Sequence, residues 1–228
     1  MKSARARDDA VMLGMDDFPY YFAGRGGVLG DIDEDAIGTL FHFFPIELVR
    51  ANWQTARELM SPRDIGLRYA ETCRSWGRER LGEWPQASRL AELLELIADG
   101  ASAIGLPLFA AWRSVPLPDD GPGRAVQLAH VLREHRGGHH ATAVLASGLH
   151  PLLAVLARDD GAKRARELHW AEPFPQVTEE IRARRLAIEE LTDDLAAPPY
   201  VVLDDAEADE LRALLASAYN ICARHEPT

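Results

Sequence analysis

Apolar residues recur along most of the chain at steps of three and four, the spacing that gives a helix one buried face. Ile37, Leu40, Phe41 and Phe44 fit this template, and after Pro45 the stripe continues through Ile46, Val49, Trp53, Ala56 and Met60. Ser61, Pro62 and Asp64 read as an N-cap, a proline at the first helical position and a charge suited to the helix dipole. The helix they open is expected to reach about Leu81 and to bury Ile65, Tyr69, Cys73 and Trp76. Another, from about Pro85, buries Leu90, Leu93, Leu94 and Ile97. A short apolar run from Leu106 to Trp112 precedes a proline- and aspartate-rich loop over residues 116–123. Further helices are expected over residues 124–135, 141–158, 178–197 and 204–225. Residues 16–35, with Pro19 and four glycines, read as a loop, and Tyr200–Leu203 is the one short β-like run. The predicted fold class is all-α: a multi-helix bundle over residues 1–158 with an N-terminal glycine-rich arm, then a smaller helical region over 159–228.

Composition agrees with this pattern. Nearly half of the 228 residues are hydrophobic, enough for a sizeable core and too many for a disordered chain. The net charge is −11. Proteins that neutralise phosphates usually present a basic surface, so the balance argues against nucleic acid. The basic runs Lys163, Arg164, Arg166 and Arg182, Arg184, Arg185 are interleaved with glutamates and read as solvated helix faces. Cys73 and Cys222 lie far apart inside helical patterns and read as small buried residues in a reducing compartment. With neither a leader-like start nor a span of about 20 apolar residues, the expected location is the cytoplasm, without membrane contact.

The densest group of ionisable side chains is His130, His135, Arg136, His139 and His140, with Arg133 and Glu134 among them. Gly137 and Gly138 predict a corner, one helix ending at Gly137 and the next starting near His139, since each glycine costs a helix about 1 kcal/mol. Three readings stay open. His135 with His139 or His140 could hold a divalent metal, as imidazoles do. A histidine could act as general acid or base while Arg136 holds an anionic group. Or His135 merely complements a helix C-terminus and the glycines turn the chain. The cofactor expectation is accordingly none or a divalent metal.

The segment Tyr21-Phe22-Ala23-Gly24-Arg25-Gly26-Gly27 lacks the strand and the spacing of a phosphate-binding loop. It reads as a lid or arm that lays aromatic rings and Arg25 on the helical body, with Tyr21 and Arg25 as candidate ligand contacts. His42, in Phe41-His42-Phe43-Phe44, is a core or edge histidine on one reading and a ligand contact on the other. No nucleophile elbow, Cys/His pair or His-Glu-x-x-His occurs, so the residues by themselves name no reaction.

Five blocks nevertheless carry a resemblance: Tyr21 to Arg25, Phe44-Pro45, Pro107 to Ala111, Leu132-Arg133-Glu134-His135-Arg136-Gly137, and Thr192 to Tyr200. Over about residues 20–200 the chain resembles the actinobacterial SalK-like helix-turn-helix family, found in some natural-product gene clusters. The resemblance implies a winged helix towards the C-terminus, where this chain departs. Only about seventeen residues, Gly161 to Val177, stand where the family has nearly twice as many, and Pro173 and Pro175 among them would break a recognition helix. The C-terminal region therefore resembles a truncated winged helix, and DNA binding by the usual mode is not expected. The family's usual His-Arg-Gly-Asp-Gly-His is here His135-Arg136-Gly137-Gly138-His139-His140, and its His before Pro is Phe44.

The leading expectation is a small-molecule-binding helical protein, an enzyme of bacterial specialised metabolism. His135, His140 and Arg136 would be its catalytic residues, with Arg25, His139, Tyr21 and His42 on the ligand. The alternatives are a ligand-responsive winged-helix regulator and a structural or partner-binding protein with no site. The stripe Leu211, Leu214, Leu215, Ala218, Cys222 could support a homodimer.

Overall fold

The chain is described here by a computed structural model over residues 4–224. Among the described residues it forms twelve α-helices, two 3-10 turns and no strand; the expected end of the last helix at His225 lies outside them. In chain order the helices are α1 (Ala4–Met12), α2 (Asp17–Gly26), α3 (Glu34–Leu40), α4 (Ile46–Leu59), α5 (Pro62–Leu81) and α6 (Ala87–Gly100). They continue as α7 (Pro107–Arg113), α8 (Gly121–Ala146), α9 (Pro151–Leu156), α10 (Gly161–Glu167), α11 (Glu179–Ala196) and α12 (Asp205–Ala223). The fold is all-α.

Local chemistry sets most of the boundaries. Ser61 accepts from the Asp64 amide with Pro62 at the first helical position, as its sequence predicts. Thr178 caps α11, and Asp204 with Glu207 closes a reciprocal capping box on α12. Such caps satisfy amides that an open helix end leaves without partners. The β-like run near Tyr200 is instead a 3-10 turn, Pro198–Val202, packed on α6. Two consecutive prolines there remove the amide donors that a sheet would need.

Helix α8 is the axis, flanked by α5, α6, α7 and α11. The main core lies on its N-terminal half and includes Tyr20, Phe22, Trp53, Ile65, Phe109 and Trp112. Around its C-terminal end a second cluster joins Ala143, Val144 and Leu149 to Ile188 of α11, and a third gathers Val155, Leu156, Ala165 and Leu168 with Trp170 and Phe174. The stripe on α12 expected for a dimer is largely used within the chain: Leu211 and Leu214 are buried in the main core, leaving Leu215 exposed. Cys73 and Cys222 are half-buried rather than fully buried.

The expected loop over residues 16–35 is mostly helical. Its glycines permit close approach. An added Cβ on Gly24 would meet the Tyr69 ring at 2.5 Å, and one on Gly26 would meet Ile37 at 2.4 Å. A 3-10 turn, Gly27–Leu29, then presses backbone to backbone on α5: a Cβ at Gly27 would lie 1.9 Å from the Pro62 carbonyl, and one at Gly66 2.7 Å from the Val28 amide. Backbone cannot swing aside as a side-chain tip can. Gly27→Ala and Gly66→Ala are therefore each expected to lower the unfolding free energy by about 1–3 kcal/mol or more, the range of overpacked cores, measured by urea denaturation.

Candidate functional site

A cavity of about 740 Å³ lies between α8, the α3–α4 turn, α7 and the C-terminal helices, within the ordinary range for ligand pockets. Its walls are largely apolar and aromatic, with Leu40, Phe43, Phe44, Leu106, Phe109 and Leu132 among them. Tyr21, Arg25, His42, Glu134, Arg136 and His140 also line it. The elements that carry these groups are pinned by indole hydrogen bonds: Trp112 donates to the Arg25 carbonyl at 2.9 Å and Trp170 to the Phe43 carbonyl at 2.9 Å.

The polar pole of the cavity is a buried ion pair. Arg25 Nε and Nη2 donate to the two oxygens of Glu134 at 3.0 and 2.7 Å, while Nη1 donates to the Tyr21 phenol at 2.6 Å. The Glu134 side chain is only 2% exposed. The guanidinium also stands over the Phe41 and Tyr21 rings, with centroids at 4.8 and 5.2 Å, a favourable placement for a cation. Burial alone would raise the pKa of Glu134, but Arg25, His130 and Arg133 outweigh it and hold the carboxyl at about 2. Beneath the pair, His130 packs edge-on against Trp112 at 4.3 Å. Burial drives its pKa down to about 3 even beside Glu134, so it is neutral at pH 7.

The expected corner at Gly137-Gly138 is not there: α8 runs unbroken from Gly121 to Ala146. Packing on several sides offsets the cost of the two glycines. At Gly138 an added Cβ would approach Leu106 to 2.5 Å, so glycine lets α7 and its lead-in sit close. At Gly137, which lines the cavity, an added Cβ would meet nothing within 4 Å. One glycine admits a neighbour and the other leaves space open. His135 is accordingly mid-helix and caps no terminus.

A continuous helix sorts the cluster onto different faces. Arg136 and His140, one turn apart, line the cavity; His135 and His139 do not. His135 packs on Phe109, and its Nε2 meets that of His139 at 3.2 Å. Burial, with His139 and Arg113 adding to it, lowers the His135 pKa to about 4. His140 turns the other way, its Nδ1 2.9 Å from the Thr192 hydroxyl. The three histidines considered as metal ligands therefore do not converge, and among the described residues no group of three or more His, Cys, Asp or Glu side chains is placed to hold a metal.

The hydrogen bonds fix the tautomer of His140. Thr192 donates to the Ile188 carbonyl at 2.7 Å, so towards His140 its hydroxyl can only accept. The imidazole proton then sits on Nδ1, and Nε2 keeps its lone pair. Burial lowers the His140 pKa more than nearby Glu189 raises it. His42, in the α3–α4 turn, is lowered to about 4 by burial, with His140 and Arg25 adding to it. Its Nε2 is buried with no hydrogen-bond partner among the described residues. Two neutral imidazoles thus face the same space. Arg136 donates to Glu189 and Asp193 of α11 at 3.0 and 2.8 Å.

A family model described as a helix-turn-helix family matches residues 2–171. The chain belongs to the helix-turn-helix family. No curated protein and no solved structure matches it. The family's matched stretch contains Tyr21, Arg25, His42, Arg136 and His140, and ends before α11. Within this family member, Glu134 is the site residue that sequence reasoning named only as a bystander. Its signal was its register: it falls three residues after Val131 and seven after Gln127, both fully buried, on a face where a carboxylate must find a cation. Arg164 and Arg185, read as solvated, in fact line the cavity.

Removing one partner of a buried pair leaves the other charge uncompensated. Arg25→Ala or Glu134→Ala is expected to cost about 3–5 kcal/mol by urea denaturation, while Arg25→Met combined with Glu134→Leu recovers most of it. The buried histidines make stability acid-sensitive. Their folded pKa values lie below the unfolded value of about 6.5, so their stabilisation is complete above that pH. It is lost as pH falls towards about 4 for His42 and His135 and about 3 for His130. A melting temperature that declines steadily over this window, and less steeply in His130→Phe, is the expected result.

Proposed function

We propose that this helix-turn-helix family member binds a small molecule in the cavity beside α8. One observation carries the reading: a cavity of about 740 Å³, left unobstructed at Gly137, is faced by polar groups at Arg25, Tyr21, His42 and His140. In this reading His140 Nε2 accepts a proton or hydrogen bond from the ligand, Arg136 orients a polar group, and His42 supplies the buried, unpartnered nitrogen. His135 and His139 support the site from the far side of the helix. The SalK-like motif blocks favour an enzyme of bacterial specialised metabolism as the setting.

A ligand-responsive DNA-binding regulator is the second reading, and the family's description favours it. Against direct groove reading stand the acidic balance and the brevity of α10, seven residues followed by a stretch whose Trp170 and Phe174 are committed to the third core cluster.

The test uses Nile red, an uncharged dye whose emission shifts in apolar surroundings. Binding at micromolar concentration is expected for the native chain and weakened in Gly137→Phe, whose ring projects from α8 into the cavity while circular dichroism and melting temperature stay native. Undiminished binding in that variant removes the cavity as the site. Salt-dependent binding to duplex DNA from upstream of its own coding region would favour the regulator.

A further inference from the structure

Among the described residues, six arginines but a single carboxylate, Glu134, line the cavity of this acidic protein. Glu134 is consumed by Arg25 in a two-pronged pair, and Arg133 also donates to it at 2.7 Å. The others, Arg136, Arg158, Arg164 and Arg185, take their carboxylates from Glu189, Asp193, Asp160 and Glu167, none of which lines the cavity. The acids stand behind the arginines and leave the arginines facing the space.

Exposure divides these residues. Arg25 and Arg185 are largely buried, at 11% and 14%, whereas Arg133, Arg136, Arg158 and Arg164 are 42–55% exposed. Side chains that line a cavity and also meet water stand at its mouth. A guanidinium has five N–H donors, and Arg158 and Arg164 each hold one carboxylate, which leaves donors for a second anion. Arg158 and Arg164 both stand close enough to Asp160 to lower its pKa, so these two guanidiniums share one side of the opening. Inside, the histidines are neutral, the Arg25–Glu134 pair cancels its own charge and Arg185 is held by Glu189, so the interior offers hydrogen bonds and apolar walls but no net charge.

Resting on the reading that the cavity is the ligand site, we infer that its ligand is an amphipathic organic anion. A carboxylate or phosphate ester head sits at Arg158 and Arg164, and an aliphatic or aromatic body enters between Phe43, Leu106 and Leu132. A hydrogen-bonding group at the inner end of such a body would meet the Tyr21 phenol or His42.

Displacement of Nile red tests this with decanoate, decyl phosphate, decanol and decylamine, which share one chain length. Either anion is expected to displace the dye at a concentration at least about tenfold below decanol, the worth of one charge-assisted hydrogen bond, with decylamine weakest. Arg158→Gln combined with Arg164→Gln changes two half-exposed residues outside the main core. It is expected to erase that anion preference while Nile red and decanol bind as before. Decanol matching both anions, or an anion preference unmoved in the variant, overturns the inference and leaves the cavity reading standing. Failure of Nile red to bind the native chain, or undiminished binding in Gly137→Phe, instead overturns the cavity reading and the inference with it.

Discussion

The pair between Arg25 and Glu134 fixes how the two halves of the site meet. It joins α2 to α8 across 109 positions of sequence and aligns them through two parallel hydrogen bonds, a geometry that tolerates little slippage. Taking both charges out of water costs several kcal/mol per ion. The surroundings offset that cost with the Tyr21 hydroxyl, the Phe41 and Tyr21 ring faces and the Arg133 guanidinium. An apolar pair could stabilise the core as well. What it could not do is place fixed donors and an oriented phenol on the wall of a cavity.

Around that pair, the cavity depends on a helix that its own composition disfavours. Gly137 and Gly138 weaken α8 locally, yet packing carries the helix through them, as tertiary contacts commonly override propensity. The result places Arg136 and His140 on the cavity face and pairs His135 with His139 on another. Burial does the remaining electrostatic work by keeping His42, His130 and His135 neutral near pH 7. Charge is thereby confined to the Arg25–Glu134 and Arg185–Glu189 pairs within and to the arginines at the opening.

Membership of the helix-turn-helix family rests on residues 2–171, the part that builds most of the cavity wall. Helix α11, beyond that match, docks on α8 through Ile188 and Thr192 and supplies Arg185 to the lining. The C-terminal helices are thus committed to the same body as the family region. Arg136 and His140 of α8 hold α11 in place.

Much of the fold was legible because helix periodicity and capping are local. The stripe from Ile46 to Trp53, the Ser61-Pro62 start and the capped helices α11 and α12 follow from residues a few positions apart. Arg25, Tyr21, His42, Arg136 and His140 could be picked out by chemistry alone, and all five share one cavity. Glycine was the residue type that sequence could not decode, because freedom to turn and absence of bulk leave the same letter. Gly24, Gly26 and Gly27 looked like a loop and Gly137 like a corner, whereas close packing explains the first three and open space the last. Likewise, nothing near Glu134 in the chain announces Arg25 as its partner, and nothing near Arg164 or Arg185 announces a cavity. Sequence by itself determined which segments are helical and which side chains are chemically able. Tertiary structure decided which of them share a face, because burial, ion pairing and the space left by a missing side chain are properties of neighbours distant along the chain.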